Sequence, residues 1–308
     1  MPMNALHELL APSLALALSV LGLAALRARK AESPRQRSQR GIEINLALRG
    51  LLHDLQLHRG MASILLNGNP AFSTRLQAKQ AEIHHALRAL VDAPPTPDLL
   101  APPRIEQLRT TWETLRSQVL SLSPLQSFAR HSILIQDLLR LISDVAERSQ
   151  LDAGSPVSPS LTDMIWRRLP EVAEGIGKAR AIGSGIAAVG QASGVDRIRL
   201  RFLVTHIRDG LKVVQTAIGR DGGPLSREAM QAAAKAQGTG GRLLSLIESE
   251  LIAVECPNID AEAYFAAATD ALEDIYRVYD AASTSLAQPS GHRTPADASL
   301  KAAAVPAA

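Results

Sequence analysis

Cysteine occurs once in the 308 residues, at Cys256, so no disulfide framework can form and thiolate-based metal ligation is excluded. Aromatic residues make up only 3% of the chain. Alanine, leucine and arginine are abundant instead, and long periodic segments are separated by Pro- or Gly-rich breaks, which makes an all-α fold the economical reading. Neither sign of charge dominates: a net charge of +3 with a pI near 9.2 is too mild and too dispersed to indicate nucleic acid. His53 and His58 are five residues apart and His84 and His85 are adjacent. Neither pair has the i, i+4 spacing that puts two metal ligands on one helical face. A Gly-x-Ser-x-Gly elbow, a Walker A loop and a Cys–His arrangement are also missing. The segment GIGKARAIGSGI has the glycines of a phosphate loop but not their spacing, nor a preceding strand. These absences point away from an enzyme, a metal site and a cofactor.

The longest uncharged run is Leu9 to Leu26, 18 residues, at the short end of what crosses a bilayer. The preceding MPMNALHE has no Lys or Arg, unlike the start of a signal peptide. The following RARKAESPRQRSQR has six basic residues against one acidic. By the positive-inside rule that cluster stays in the cytoplasm. The expectation is therefore a single-pass anchor in the inner membrane with the folded body facing the cytoplasm, and a basic segment suited to anionic lipid. The alternative is an N-terminal helix buried in the globular body.

Three regions follow: an anchor and basic segment over 1–40, a helical body over 41–287, and a Pro-, Ser- and Ala-rich tail over 288–308 with no apolar period, expected to be disordered. In the body, the periodicity predicts helices over about 41–66, ended by the turn NGNP, then up to Val91, Arg104–Leu122, and Ser123 to about Leu151, where Ser-Pro makes a good helix start. DAGSPVSPS is the clearest interior break. Beyond it come Leu161–Gln191, Val195–Ile218, Leu225 to about Val254 with an interruption at Gly238–Gly241, and Asn258 to about Leu286. About eight long antiparallel helices in two runs of four predict two packed four-helix bundles.

The first helix, INLALRGLLHDLQLHRGMASILLNGN, places Leu48, Leu52, Leu55, Ala62 and Leu66 on one stripe. Arg59 falls on that stripe, seven residues from both Leu52 and Leu66 and so within about 20° of each. A guanidinium on an apolar face is costly unless an anion meets it. Gly60 beside it points to a close approach of another backbone or a ligand. The helix after the break repeats the pattern: Leu169, Ala173, Ile176, Gly183 and Ala187 share a stripe with Arg180, among the small residues Gly177, Ser184 and Gly185. Two such arginines in different halves of the chain suggest a shared anion site, since the guanidinium fork suits planar oxyanions. Arg242, in AQGTGGRLL, is a weaker third candidate.

These blocks resemble the nitrate- and nitrite-sensing domain family. Leu55, Gln56, Arg59, Gly60 and, one place late, Ser63 are similar to its Leu-Gln-x-x-Arg-Gly-x-Ser core. Gly177 to Arg180 resembles its Gly-x-x-Arg block, and AEAYFAAATDALEDIYRVYD resembles its closing helix with Tyr-Phe and Thr. The resemblance implies two packed helical bundles that hold nitrate or nitrite through arginines from both halves, here Arg59 and Arg180, with Arg242 matched only by its distance downstream. His58 stands where family members often carry Glu or Arg, which would make the site sensitive to pH. Relatives usually continue into an output module, so the signal is expected to leave through an unidentified signalling partner or the anchor, with a homodimer possible. The rival expectation is a helical scaffold without ligand, its arginines paired with internal carboxylates such as Glu171 or Asp54. Another small anion is the third reading.

Overall fold

A computed structural model describes residues 33–93, 96, 98–151, 159–221 and 225–287. The apolar run Leu9–Leu26, most of the interior break and the tail after 287 lie outside them. All regular structure among the described residues is helical. None of these helices is long and apolar enough to cross a membrane.

Helix α1 spans Pro34–Leu66 and starts earlier than the periodicity predicts, because Ser33 and Gln36 form a reciprocal capping box with Pro34 in the first turn. It ends at Asn67, after which Gly68 takes a φ of +100° that other residues rarely adopt. Asn69 then caps a short 3₁₀ turn, Pro70–Phe72, that leads into α2, Ser73–Asp92. Helix α3 is Pro102–Gln118, tightened into 3₁₀ form over Val119–Ser121. Helix α4, Pro124–Arg148, has the capping box Ser123/Gln126 that its Ser-Pro start predicts.

After the break, α5 is a single turn, Pro159–Asp163. A π-helical turn over Met164–Arg168 joins it to α6, Leu169–Val189. The wide turn accommodates Pro170: the Leu169 N–H reaches back to the Met164 carbonyl, and the next residue has no N–H to donate. Helices α7, Gly194–Asp221, α8, Arg227–Ile247, extended by a π-helical turn over Glu248–Ile252, and α9, Ala261–Ala287, complete the described residues. Helix α8 passes unbroken through Gly238–Gly241, contrary to the sequence expectation. Its four nearby glycine and threonine positions cost helix propensity, but buried Ala236, Gly240, Leu243 and Leu244 hold it against its neighbours.

Helices α1 to α4 form one ring, each packed on the next and α4 closing on α1, and α6 to α9 form a second. The rings meet where α1 lies along α6, with α9 touching α1 as well. This joint is parallel, unlike the antiparallel neighbours within each ring: Gln56, Gly60, Ser63 and Asn67 of α1 meet Glu174, Arg180, Ala181 and Gly185 of α6 in the same order. Because α1 and α6 each serve two rings, both are buried on nearly every face in their central turns.

Candidate functional site

The α1–α6 joint contains the two arginines singled out by the stripes. Arg59 and Arg180 are 1% and 0% exposed and rank among the largest fully buried side chains. Helix packing this close needs small residues at the crossing. A Cβ on Gly177 would lie 3.0 Å from Arg59 Nη2, and one on Gly60 would lie 3.2 Å from Arg180 Nε and 2.8 Å from the Phe265 ring. Each glycine thus makes room for the arginine of the opposite helix.

The two guanidiniums are treated differently. Arg59 meets Glu174 through two hydrogen bonds, Nη1 to Oε1 at 2.7 Å and Nη2 to Oε2 at 3.0 Å, and Nη1 also donates to Ser132 Oγ at 3.1 Å. Gln56 donates to Glu174 Oε2 at 2.9 Å and accepts from the Tyr276 hydroxyl at 2.6 Å. Lys178 Nζ stands 3.7 Å from Glu174 Oε1 at the solvent side. Arg59 is therefore neutralised internally, by Glu174; Glu171 pairs with Arg168 and Asp54 with Lys79.

Arg180 has no such carboxylate. Its Nη1 donates to Thr269 Oγ1 at 3.0 Å and its Cζ lies 5.0 Å from the Phe265 ring centre, while Nε and Nη2 are buried without a partner. Arg59 Nε is buried and unpaired too. Burial, followed by repulsion from Arg59, pushes the Arg180 guanidinium down to about 9. Buried donors of this kind carry the full cost of their lost hydration unless something occupies them. Three guanidinium nitrogens on facing helices are thus left as buried donors, of the kind that oxyanions accept from.

The surrounding groups are neutral. Tyr264, whose hydroxyl donates to the Ala179 carbonyl at 3.0 Å, and Tyr276 are both held in the phenol form by burial. His53, whose ring centre is 5.3 Å from that of Tyr276, is driven down to about 3 by burial and then by the nearby cations Arg180, Arg49 and Lys79. From outside, a cleft of about 450 Å³ between α4, α6 and α7 reaches Glu174 and Lys178. A second, of about 580 Å³, reaches Phe128, whose ring centre lies 5.4 Å from Arg59 Cζ.

The remaining predicted positions are not brought here. Arg242 is exposed on α8, on the continuous helix that replaces the anticipated loop. His58 is fully buried but points into the first ring, where its Nδ1 lies 2.7 Å from His131 Nε2 and its ring meets Trp112 edge-on. The His131 Nδ1–H donates to the Ser127 carbonyl at 2.7 Å, so His131 Nε2 accepts from His58 and both rings stay neutral. Burial holds His58 well below the usual histidine range and His131 at about 4. The unfolded chain protonates these rings near pH 6.5 and the folded chain resists doing so. Unfolding therefore takes up protons, and stability is expected to be full above pH 6.5 and to fall as pH drops from there toward 4, by about 1.4 kcal/mol per unit for each ring. Urea unfolding midpoints measured from pH 7.5 to 5 check this; a flat profile contradicts it.

Several partners were not anticipated from sequence: Glu174, Gln56 as its donor, and Tyr276. Glu174 shares a face with Gly177 and Ala181 at i+3 and i+7. That face, rather than the apolar stripe, is the one turned to α1.

Among the described residues the regular structure is all helical, and two buried arginines face each other across the joint between its two rings. The family described as nitrate and nitrite sensing matches residues 50–287, and the chain belongs to that family. No curated protein matches the sequence closely enough to be informative. Among solved structures, the chain is similar to the NasR transcription antiterminator at 20% identity and a TM-score of 0.56, over 87% of this chain and 73% of that one. At that identity the likeness concerns the fold alone.

Proposed function

We propose that this protein is a non-enzymatic sensor of nitrate or nitrite, with the anion held between Arg180 and Arg59 at the α1–α6 joint. The observation that carries the reading is the set of buried, unpaired guanidinium nitrogens, Arg180 Nε and Nη2 and Arg59 Nε, in a chain of the nitrate and nitrite sensing family. The anion supplies acceptors to these donors and relieves the repulsion between the two cations. Because α1 belongs to one ring and α6 to the other, tightening that pair changes how the rings sit on each other. A ligand shifts such an equilibrium only by its difference in affinity for the two arrangements. The altered surface is then read by a signalling partner, with Leu9–Leu26 anchoring the protein in the inner membrane and the helical body facing the cytoplasm. His58 and Arg242 are left outside the ligand set, since neither is directed at the pair.

Thermal unfolding of the full chain in matched sodium nitrate, nitrite and chloride, at constant ionic strength, tests the reading. A ligand at 100 times its dissociation constant is expected to add about 2.7 kcal/mol, a shift of about 4–5 °C for a chain of this length. Equal midpoints in all three salts contradict it.

One observation favours a second reading: Arg59 already holds an internal carboxylate. If Glu174 serves as a permanent substitute for the ligand, the protein is a scaffold for recruiting partners, and no anion stabilises it beyond the effect of chloride.

A further inference from the structure

The charges buried at the joint add up in an informative way. Among the described residues at the joint, the ionised groups enclosed there are Arg59, Arg180 and Glu174, exposed by 1%, 0% and 5%. Their formal sum is +1. Around them the site is neutral: Gln56, Ser132 and Thr269 contribute dipoles, and Tyr264 and Tyr276 keep their phenolic protons. Lys178 stands beside Glu174, but its side chain is 34% exposed at the cleft, where water screens it. Arg49 is spoken for by Asp280, at 2.7 Å.

In a water-poor interior, uncompensated charge is costly and its sign and size govern what is admitted. We propose that Glu174 sets the valence of the ligand: by cancelling one of the two guanidiniums it leaves a buried net charge of +1 that a single monoanion closes, and it thereby rejects dianionic oxyanions such as sulfate. The geometry allows both roles at once. Glu174 occupies the terminal fork of Arg59, Nη1 and Nη2, and leaves the Nε edge open; on Arg180 it is Nε and Nη2 that remain free. An anion that accepts from these nitrogens therefore need not displace the carboxylate. With the monoanion in place the buried sum is zero. With a dianion it is −1, and the second negative charge faces Glu174 with no further cation to meet it. Glu174 is accordingly a specificity-determining residue, and it acts through charge rather than through contact with the ligand. This inference rests on the sensor reading given above.

The test is titration calorimetry of nitrate and sulfate into the full wild-type chain and its Glu174→Gln variant at fixed ionic strength. Glutamine keeps the size and one acceptor of the glutamate and removes its charge, taking the buried sum from +1 to +2. The ratio of nitrate to sulfate affinity is expected to fall by about tenfold or more, with sulfate binding emerging in the variant. Glu174→Asp, which retains the charge, is expected to restore preference for nitrate even if both affinities drop. A purely structural role for Glu174 would weaken both anions together and leave their ratio unchanged, which overturns the inference.

Should Glu174→Gln fail to fold, Ser132→Asp tests the same account from the other side. Its hydroxyl accepts from Arg59 Nη1 at the edge of the joint, so a carboxylate there brings the sum to zero without breaking the Arg59–Glu174 pair. Nitrate affinity is then expected to fall by about tenfold, and unchanged affinity overturns the proposal. Absence of nitrate binding in the wild-type chain, by contrast, refutes the sensor reading itself.

Discussion

Replacing Arg180 with Met is expected to make the ligand-free protein more stable and to abolish its response to nitrate. Arg180 is completely buried, has no carboxylate partner, and leaves Nε and Nη2 without acceptors. What it gains in return is one hydrogen bond to Thr269 and the face of Phe265. Methionine is flexible and apolar and fills much of the same volume, so it removes the desolvation cost and the repulsion from Arg59 while keeping the packing. Exchanging buried charges for well-packed apolar groups commonly stabilises by about 1–4 kcal/mol, and an unpaired cation lies on the favourable side of that experience. Urea unfolding of the two proteins without nitrate gives the stability difference. A large loss of stability in Arg180→Met would mean that the guanidinium is structurally satisfied, and the case for an anion site there would lose its basis. A residue kept at a stability cost is what a binding function demands.

Replacing Arg59 with Ala is expected to act in the opposite direction, costing about 3–5 kcal/mol, because it strips a buried carboxylate of its bidentate partner. Glu174 would keep only Gln56 and the more distant Lys178, and the space of a large side chain would be left at the crossing of α1 and α6. The pair of variants thus separates the two arginines, which the sequence patterns present as equivalents. Denaturant unfolding measures both. If Arg59→Ala were as mild as a surface substitution, the Arg59–Glu174 pair would have to be solvated and the joint open, contrary to the burial of both groups. Combining Arg59→Ala with Glu174→Ala is expected to recover part of the loss, since the orphaned carboxylate goes with its partner.

The helices were legible because their signals are local. Ser-Pro starts, the Asn-Gly-Asn-Pro turn and the leucine periodicity place α1 through α4 to within a few residues, apart from the early start of α1. The continuous α8 was not legible, since propensity marks Gly238–Gly241 as a weak point and only packing on its neighbours overrides it. The candidate site was half legible. An arginine on an apolar stripe beside a glycine identifies Arg59 and Arg180, because that placement is costly on any helix. What neutralises Arg59 could not be read in the same way. Glu174 lies 115 residues away in sequence, and its assignment depends on α1 and α6 running parallel, which no periodicity reports. His58 shows the converse limit. Its neighbour Arg59 points to the second ring, while one residue earlier the side chain swings about 100° around the helix and into the first.

The central claim is that a small monoanion binds between Arg59 and Arg180, and calorimetric titration of nitrate into the full chain and into Arg180→Met tests it most directly. The account predicts saturable binding of one nitrate per chain in the wild-type protein, no comparable signal with chloride, and loss of binding in a variant that remains folded. Nitrate binding that survives in Arg180→Met, or a wild-type protein that does not distinguish nitrate from chloride, would contradict it.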